Sequence, residues 1–266
     1  MKIVILCGGK GTRLRQETEF KPKPMVEIGG YPILWHIMKI YSYYGFNDFI
    51  LCLGYKGEII RQYITDYETL NYDCTIYLGT NKKPIIFNKK AKEKWKVTLV
   101  NTGQDSETGM RIKLIEPFIH RETFMLTYGD GLADVNIKQL LKFHKAKNKI
   151  ITITGVYPVE RFGIMEIDSR SNVKHFLEKP KRCDLINAGF MVCQPEVFQY
   201  INGNVSFEKE PLSMLAKRGE VGCYQHFGFW HCIDTFRDFL YLNKLWDSDN
   251  VPWKIWERER FIKKIK

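Results

Sequence analysis

Leu6-Cys7-Gly8-Gly9-Lys10-Gly11-Thr12-Arg13-Leu14 follows the apolar run from Ile3 to Leu6 and precedes a second basic cluster, Lys21-Pro22-Lys23-Pro24-Met25. A buried strand that opens into a glycine loop reads as a phosphate cradle. Glycines let the backbone approach an oxyanion closely and present N–H groups to it. Two better-known glycine loops do not fit. A Walker A loop needs Gly-Lys-Ser/Thr after four spacer residues, but Lys10 is followed by Gly11. A dinucleotide fingerprint needs a third glycine, and Gly9-x-Gly11 is followed by Thr12, Arg13 and Leu14. What remains is a glycine loop ending in Thr-Arg, backed by a Lys-Pro-Lys-Pro segment that reads as mobile. That is a triphosphate grip of another kind.

Outward from this loop, short apolar strands alternate with helical patterns over the first 150 residues. Strands are expected at 2–7, 48–53, 74–78, 97–101 and 124–127, and helices at 33–44 (closed by Gly45), 58–67 and 137–147. Such alternation predicts an α/β fold, a Rossmann-like, mixed but mostly parallel sheet flanked by helices. Strands then crowd together at 150–156, 164–167, 173–177 and 190–193, which predicts a smaller antiparallel region laid beside the first half. Short helices at 196–201 and 210–217, a strand at 221–226 and a helix at 236–246 complete the core. With no internal repeat or long linker, residues 1–266 read as one domain. Its first half runs to about 150, its second over about 151–250, and 251–266 form a basic tail. Ligands of such sheets gather at the carboxyl ends of parallel strands. Segments 8–13, 54–57 and 129–130 each follow a strand, so three distant loops should face one crevice.

Composition narrows the class. The 266 residues are 44% hydrophobic and 14% aromatic, ample for a packed core. No run of about 18 apolar residues occurs and the chain enters a strand at once, so neither a membrane span nor a signal peptide is expected. A cytoplasmic protein follows. Cysteines at 7, 52, 74, 183, 193, 223 and 232 form no C-x-x-C pair and sit mostly in apolar runs, which predicts free buried thiols rather than disulfides or zinc. The net charge is +11, but 82–96 carries seven lysines against one glutamate, and 254–266 six basic residues against two acidic. Nearly all the excess is thus loop and tail charge, without the organised face that nucleic acid requires. Trp253, Trp256, Phe261 and Ile262 give the tail an apolar side suited to docking on a neighbouring subunit.

Several residues stand where chemistry could use them. Arg13 offers a planar donor fork at the end of the glycine loop. Lys21 and Lys23 share one segment, and proline rigidity does not say which points inward. Asp130 lies between two glycines after an apolar strand, well placed to project into the crevice. Asp134 competes with it but also precedes the helix expected at 137, where an acidic residue is ordinary. Asp234 precedes the helix at 236 and reads equally as an N-cap. Glu178-Lys179-Pro180 ends a strand, pairing a hydroxyl acceptor with a phosphate partner. Gly163 and Gly189 allow close approach, and Asn187 offers an amide. The six histidines do not cluster, and His36 beside Trp35 reads as a packing residue. No Gly-x-Ser-x-Gly occurs to support a hydrolase.

The glycine loop, Lys21-Pro22-Lys23-Pro24-Met25, Gly54-Tyr55-Lys56-Gly57, Tyr128-Gly129-Asp130-Gly131, Glu178-Lys179-Pro180, Asn187-Ala188-Gly189-Phe190 and Ile233-Asp234-Thr235 occur in one collinear order. Together they resemble the sugar-1-phosphate nucleotidylyltransferases, and within that family the cytidylyl branch. The resemblance implies CTP and a sugar 1-phosphate, α-D-glucose 1-phosphate, as substrates, Mg²⁺ as cofactor, and a homo-oligomer. It favours Lys23 over Lys21 and gives Arg13 and Lys23 to the phosphates. Leu6, Gly8, Gly9, Gly11, Thr12, Ser106, Arg111 and Gly129 would surround the nucleotide. Gly163, Glu178, Lys179, Asn187 and Gly189 would receive the sugar phosphate, and Asp130 and Asp234 the metal. Two carboxylates completed by phosphate oxygens and waters suit Mg²⁺. Val205-Ser206-Phe207, Cys232-Ile233 and the lysine-rich 82–96 depart from the family pattern. These departures avoid the phosphate and metal positions and bear on the sugar rather than the reaction.

Overall fold

β1 (Lys2–Leu6) is buried at every position after the first, and its side chains alternate between two apolar layers. Ile3 and Ile5 face one layer with Ile33, Leu34 and Ile37, while Val4 and Leu6 face another with Ile112, Ile115 and Leu126. A strand buried on both faces belongs in the middle of a parallel sheet covered by helices on each side. The computed structural model describes residues 1–11, 14, 18–87, 93–158, 162–178, 184–248 and 250–257. In it β1 is joined by β2 (Asp48–Leu53), β3 (Lys96–Asn101), β4 (Phe124–Tyr128), β5 (Ile151–Val156), β6 (Ile186–Cys193) and β7 (Val221–His226). The sheet order is β7-β5-β6-β4-β1-β2-β3. β6 alone runs against its neighbours β4 and β5; every other pairing is parallel. Helices α1 (Ile33–Tyr43), α2 (Gly57–Thr65), α3 (Thr108–Leu114), α4 (Ile137–Lys147), α5 (Glu210–Lys217) and α6 (Phe236–Trp246) carry the crossovers and flanks.

The second half does not build a separate wall. β5, β6 and β7 extend the first-half sheet, and the smaller antiparallel piece is the ribbon of Ile164–Ile167 and Val173–Leu177. β6 also begins four residues earlier than expected, because Asn187-Ala188-Gly189 enters the sheet through an irregularity. Between Ile153↔Met191 and Gly155↔Asn187 the partner strand advances by two residues and β6 by four. Gly189 takes φ +83° there, which a residue with a Cβ rarely adopts.

Other expectations shift for local reasons. The helix expected at 58–67 breaks at Asp66, giving α2 and a short turn Tyr67–Asn71. The strand expected at 74–78 shrinks to Cys74–Thr75, since Ile76 and Leu78 find no cover. The helix expected at 196–201 is a 3₁₀ turn, Pro195–Tyr200. α3 was not expected at all. Cys7, Cys52 and Cys193 are buried free thiols as expected, but Cys223 is exposed on edge strand β7, and Cys183 lies outside the described residues. The lysine-rich 82–96 is not wholly solvated: Trp95 donates to Ser42 Oγ at 2.6 Å and Glu93 pairs with Lys39 at 3.0 Å.

The tail corrects a larger expectation. Trp253 is fully buried in its own domain, stacked on Phe229 at 5.4 Å, with Nε1 donating to His36 Nδ1 at 3.3 Å. Trp256 meets Trp35 edge-on at 5.6 Å. Trp253 is therefore committed to the core of its own chain and Trp256 packs against that core partly buried, while Phe261 and Ile262 lie outside the described residues. His36 is the packing residue expected: its Nε2 donates to Ile28 O at 2.9 Å, and burial lowers its pKa to about 4. No helix among the described residues is long and apolar enough to cross a membrane.

Candidate active site

The carboxyl ends of β1, β3 and β4 open on one cleft of about 620 Å³, within the range of small-molecule sites. Leu6, Gly8, Gly9 and Gly11 line it from the first loop, Ser106 and Arg111 from the third, and Gly129 and Asp130 from beyond β4. Lys23 and Asp234 close its floor. Thr12 and Arg13 lie outside the described residues. The Gly54–Gly57 loop, expected to face the crevice, instead braces the glycine loop from behind, Tyr55 N–H donating to Gly8 O at 3.1 Å.

Two glycines owe their identity to Arg111. Its buried guanidinium passes between the loops, where a Cβ would lie 2.1 Å from Nη1 at Gly8 and 2.3 Å at Gly54. Nη2 donates to Gly8 O at 3.0 Å, and Nη1 to Gly103 O at 2.7 Å and Thr102 Oγ1 at 2.9 Å. Arg111 thus fixes the loops that would hold a nucleotide, with its donors turned to the protein itself. The Ser106 hydroxyl is similarly turned to Thr102 O. Across the cleft mouth, Lys10 and Asp105 pair at 2.9 Å.

The Lys-Pro-Lys-Pro segment is not loose. Lys23–Met25 forms a 3₁₀ turn that buries Pro24 and Met25, and Pro24 packs where a Cβ on Gly129 would stand, 2.8 Å away. The turn decides between the two lysines. Lys21 points out, 3.4 Å from Glu27, and Lys23 points in, with Nζ 2.6 Å from both Asp130 Oδ2 and Asp234 Oδ1. Burial alone would lower the Lys23 pKa, but the carboxylates reverse this and push it up to about 12.

A short antiparallel ribbon brings those carboxylates together. Gly131–Ala133 pairs with Trp230–Cys232, and Ile233 N–H donates to Asp130 O at 3.0 Å, which sets Asp234 beside Asp130. Asp234 is not the helix cap. Thr235 caps α6 in a reciprocal box with Asp238, leaving the Asp234 carboxylate to face Lys23. Asp134 drops out as a rival to Asp130, since Oδ1 accepts from Phe229 N–H at 2.8 Å and lies 3.1 Å from His226 Nε2.

Asp130, Cys232 and Asp234 present ligand atoms within 4.8 Å of one another. Hard carboxylate oxygens suit a divalent cation such as Mg²⁺. The thiol does not: burial and the neighbouring carboxylates raise its pKa, so it stays protonated. On the second-half side, Asn187 Nδ2 donates to Tyr128 Oη at 3.3 Å, and Asn187 Oδ1 accepts from Gly189 N–H at 2.8 Å. Gly163 and Glu178 meet on the ribbon, where a Cβ on Gly163 would stand 3.1 Å from Glu178 Oε2. Lys179 lies outside the described residues. Tyr128, Glu208 and Cys232 were missed by sequence reasoning. Tyr128 had a signal, its place directly before Gly129-Asp130; Glu208 sits in a polar run that reads as solvated surface.

A family model described as nucleotidyl transferase matches residues 2–245, from the first strand through the last helix of this architecture. The chain belongs to that nucleotidyl transferase family. It is 48% identical over 260 residues to glucose-1-phosphate cytidylyltransferase of Salmonella typhi, covering 97% of this chain and all of the relative. It is 47% identical over 258 residues to a probable glucose-1-phosphate cytidylyltransferase of Bacillus subtilis, covering 96% of this chain and all of the relative. In fold it is similar to the UTP-bound UGPase of Acinetobacter baumannii, with a TM-score of 0.68 at 16% identity over all of this chain and 99% of the other. As a sugar-1-phosphate nucleotidyltransferase, it has its cleft where the parallel strands end, and an anionic pair bridged by an ammonium at the cleft floor.

Proposed function

We propose that this cleft joins CTP to α-D-glucose 1-phosphate, giving CDP-glucose and pyrophosphate. The near full-length identity to relatives named glucose-1-phosphate cytidylyltransferase carries the reading. The sugar phosphate is already ionised at neutral pH, so attack on the α-phosphorus of CTP needs no general base. What it needs is in-line placement of two polyanions and neutralisation of their charge. Lys23, seated at the cleft floor, supplies one positive charge, and Arg13 supplies a second by the family pattern. Asp130 and Asp234 would hold Mg²⁺, which when bound screens both phosphates and polarises the one under attack. Gly8, Gly9, Gly11, Thr12, Ser106 and Gly129 would surround the nucleotide, with Arg111 holding their loops in register. Gly163, Glu178, Lys179, Asn187 and Gly189 would take the sugar phosphate.

We assign the activity to the cytoplasm and to a homo-oligomer, the latter supported by the uncovered apolar side chains of the ribbon, including Met165 and Phe176. Light scattering tests the assembly. Pyrophosphate release measured against CTP, UTP and dTTP, each with a panel of sugar 1-phosphates, tests the reaction. CTP should exceed the others in kcat/KM by at least about tenfold, a discrimination worth about 1.4 kcal/mol. Equal turnover of UTP would remove the cytidylyl assignment and leave the family untouched.

A further inference from the structure

Glu208 stands in the loop between the 3₁₀ turn Pro195–Tyr200 and α5, and no step of the proposed reaction uses it. Its half-buried carboxylate is nevertheless the meeting point of both sides of the cleft. Oε1 accepts from Tyr128 Oη at 2.6 Å. Oε2 accepts from Thr108 Oγ1 at 2.6 Å and from Ser206 Oγ at 2.8 Å. Burial alone would raise the Glu208 pKa, but these hydroxyl donors hold it below the usual carboxylate range, so the acceptor is charged at neutral pH. Hydrogen bonds to an ionised acceptor are about twice as strong as neutral ones.

Each partner leads to a different substrate. Tyr128 lines the cleft and, buried beside a carboxylate, keeps its proton. With that proton given to Glu208, Tyr128 Oη can accept from Asn187 Nδ2 at 3.3 Å. Its ring lies against Gly189, where a Cβ would stand 2.5 Å from Tyr128 Cδ2. Asn187 and Gly189 belong to the wall assigned to the sugar phosphate. In the other direction, Thr108 opens α3, the helix that carries Arg111 and so fixes the carbonyls of Gly8 and Gly103. Thr108 Oγ1 also accepts from Phe207 N–H at 2.9 Å, and Gly109 N–H donates to Val205 O at 2.9 Å. The loop bearing Glu208 is thereby clamped to the start of α3.

We propose that Glu208 is a positioning residue that sets the spacing between the two substrates. One oxygen holds the Tyr128–Asn187 wall on the sugar side; the other holds the start of α3 and, through it, the loops on the nucleotide side. The proposal rests on the reaction proposed for this cleft. In-line attack tolerates little error in the distance between donor and acceptor, so a tie spanning both halves acts directly on rate.

The test is a set of single substitutions read as separate KM values in the pyrophosphate-release assay, with melting temperatures recorded alongside. Tyr128→Phe removes the sugar-side bonds alone, the short one to Glu208 and the longer one from Asn187. It should raise KM for the sugar phosphate about tenfold or more, the scale of a lost bond to a charged group, with KM for CTP within about twofold. Thr108→Val should do the reverse. Glu208→Gln should raise both and lower kcat, and in the Tyr128→Phe background should add nothing further to the sugar KM. Glu208 is a structural tie only, and the proposal is overturned, if Tyr128→Phe and Thr108→Val shift both KM values alike or neither. A Glu208→Gln enzyme with a lowered melting temperature and unchanged KM values overturns it as well. Wild-type turnover tests the reaction itself: activity with another sugar phosphate changes only the substrate in which the pattern is read.

Discussion

Lys23→Met removes the ammonium that lies 2.6 Å from both Asp130 and Asp234. Its side chain is 11% exposed and the carboxylates 26% and 16%, so solvent screening is modest. The rise of its pKa from 10.5 to about 12, against the burial that would lower it, corresponds to about 2 kcal/mol of coupling. A raised folded-state pKa means that this stability is fully present below pH 10.5 and is lost as pH rises through 12. Methionine also leaves two carboxylates facing each other without a cation, so the whole cost in chelator should be about 2–4 kcal/mol. For a chain of this size that lowers Tm by about 5–15 °C. Added Mg²⁺ should return part of the loss by binding the pair the ammonium has left. Turnover is a separate readout, and kcat/KM should fall by about 10² to 10³ if Lys23 neutralises phosphate charge at the transition state. Calorimetry in chelator and in Mg²⁺, beside steady-state kinetics, measures all three. An unchanged Tm in chelator refutes the bridged triad, and a kcat/KM within about threefold of wild type refutes the phosphate role.

Asp130→Asn and Asp234→Asn should each raise the Mg²⁺ concentration for half-maximal rate by about tenfold or more and slow turnover steeply; full activity of either in chelator removes that residue from the metal assignment. Trp253→Ala, which empties a fully buried site and strands His36 Nδ1, should cost about 3–5 kcal/mol in urea unfolding, and a loss under about 1 kcal/mol would show the tail undocked in solution. His36, buried and held near pKa 4 against 6.5 when unfolded, contributes stability that is complete above pH 6.5 and declines by up to about 3 kcal/mol as pH falls to 4. His36→Gln should flatten that part of the stability–pH curve, and an unflattened curve would assign the acid sensitivity elsewhere.

The fold was legible where burial is two-sided and local. β1, β2 and β4 are continuous apolar runs followed by glycine, and α4 and α6 carry clear helical spacing with caps at Asn136 and Thr235. It was least legible where a distant partner sets the backbone. Asn187-Ala188-Gly189 reads as a loop, yet enters β6 because β5 pairs with Asn187 beyond the irregularity, while β4 pairs only from Phe190 onward. α3 is seven residues long with a glycine at its second position, too short to show periodicity; its start is secured by Val205, Phe207 and Glu208, about a hundred residues away. The tail misled for the converse reason. Its aromatics are as apolar as an interface would want, and only the place left for Trp253 between Phe229 and His36 shows that this one completes the chain's own core.

The site divides along the same line. Residues in a loop at a strand end, such as Gly9 and Asp130, could be placed at the cleft from sequence, because strand direction sends them there. Lys23, by contrast, was separated from Lys21 only by the family resemblance and then by the 3₁₀ turn that points it inward. Asp234 could not be separated from an ordinary cap, and what separates it is a contest for one helix end. Thr235 and Asp238 satisfy the first N–H groups of α6 reciprocally, so the helix makes no demand on Asp234. The ribbon from Asp130 to Ile233 then turns the released carboxylate toward its counterpart. Arg111 shows the opposite case. It belongs to the segment the family pattern assigns to the nucleotide, yet its donors meet Gly8, Thr102 and Gly103, and the glycines at 8 and 54 are small because that guanidinium lies between them. The glycine loop that decides the fold is therefore shaped by two demands at once. Gly9 stays open to the cleft, while Gly8 gives up its side chain so that an arginine from a different strand crossover can hold the cradle in place.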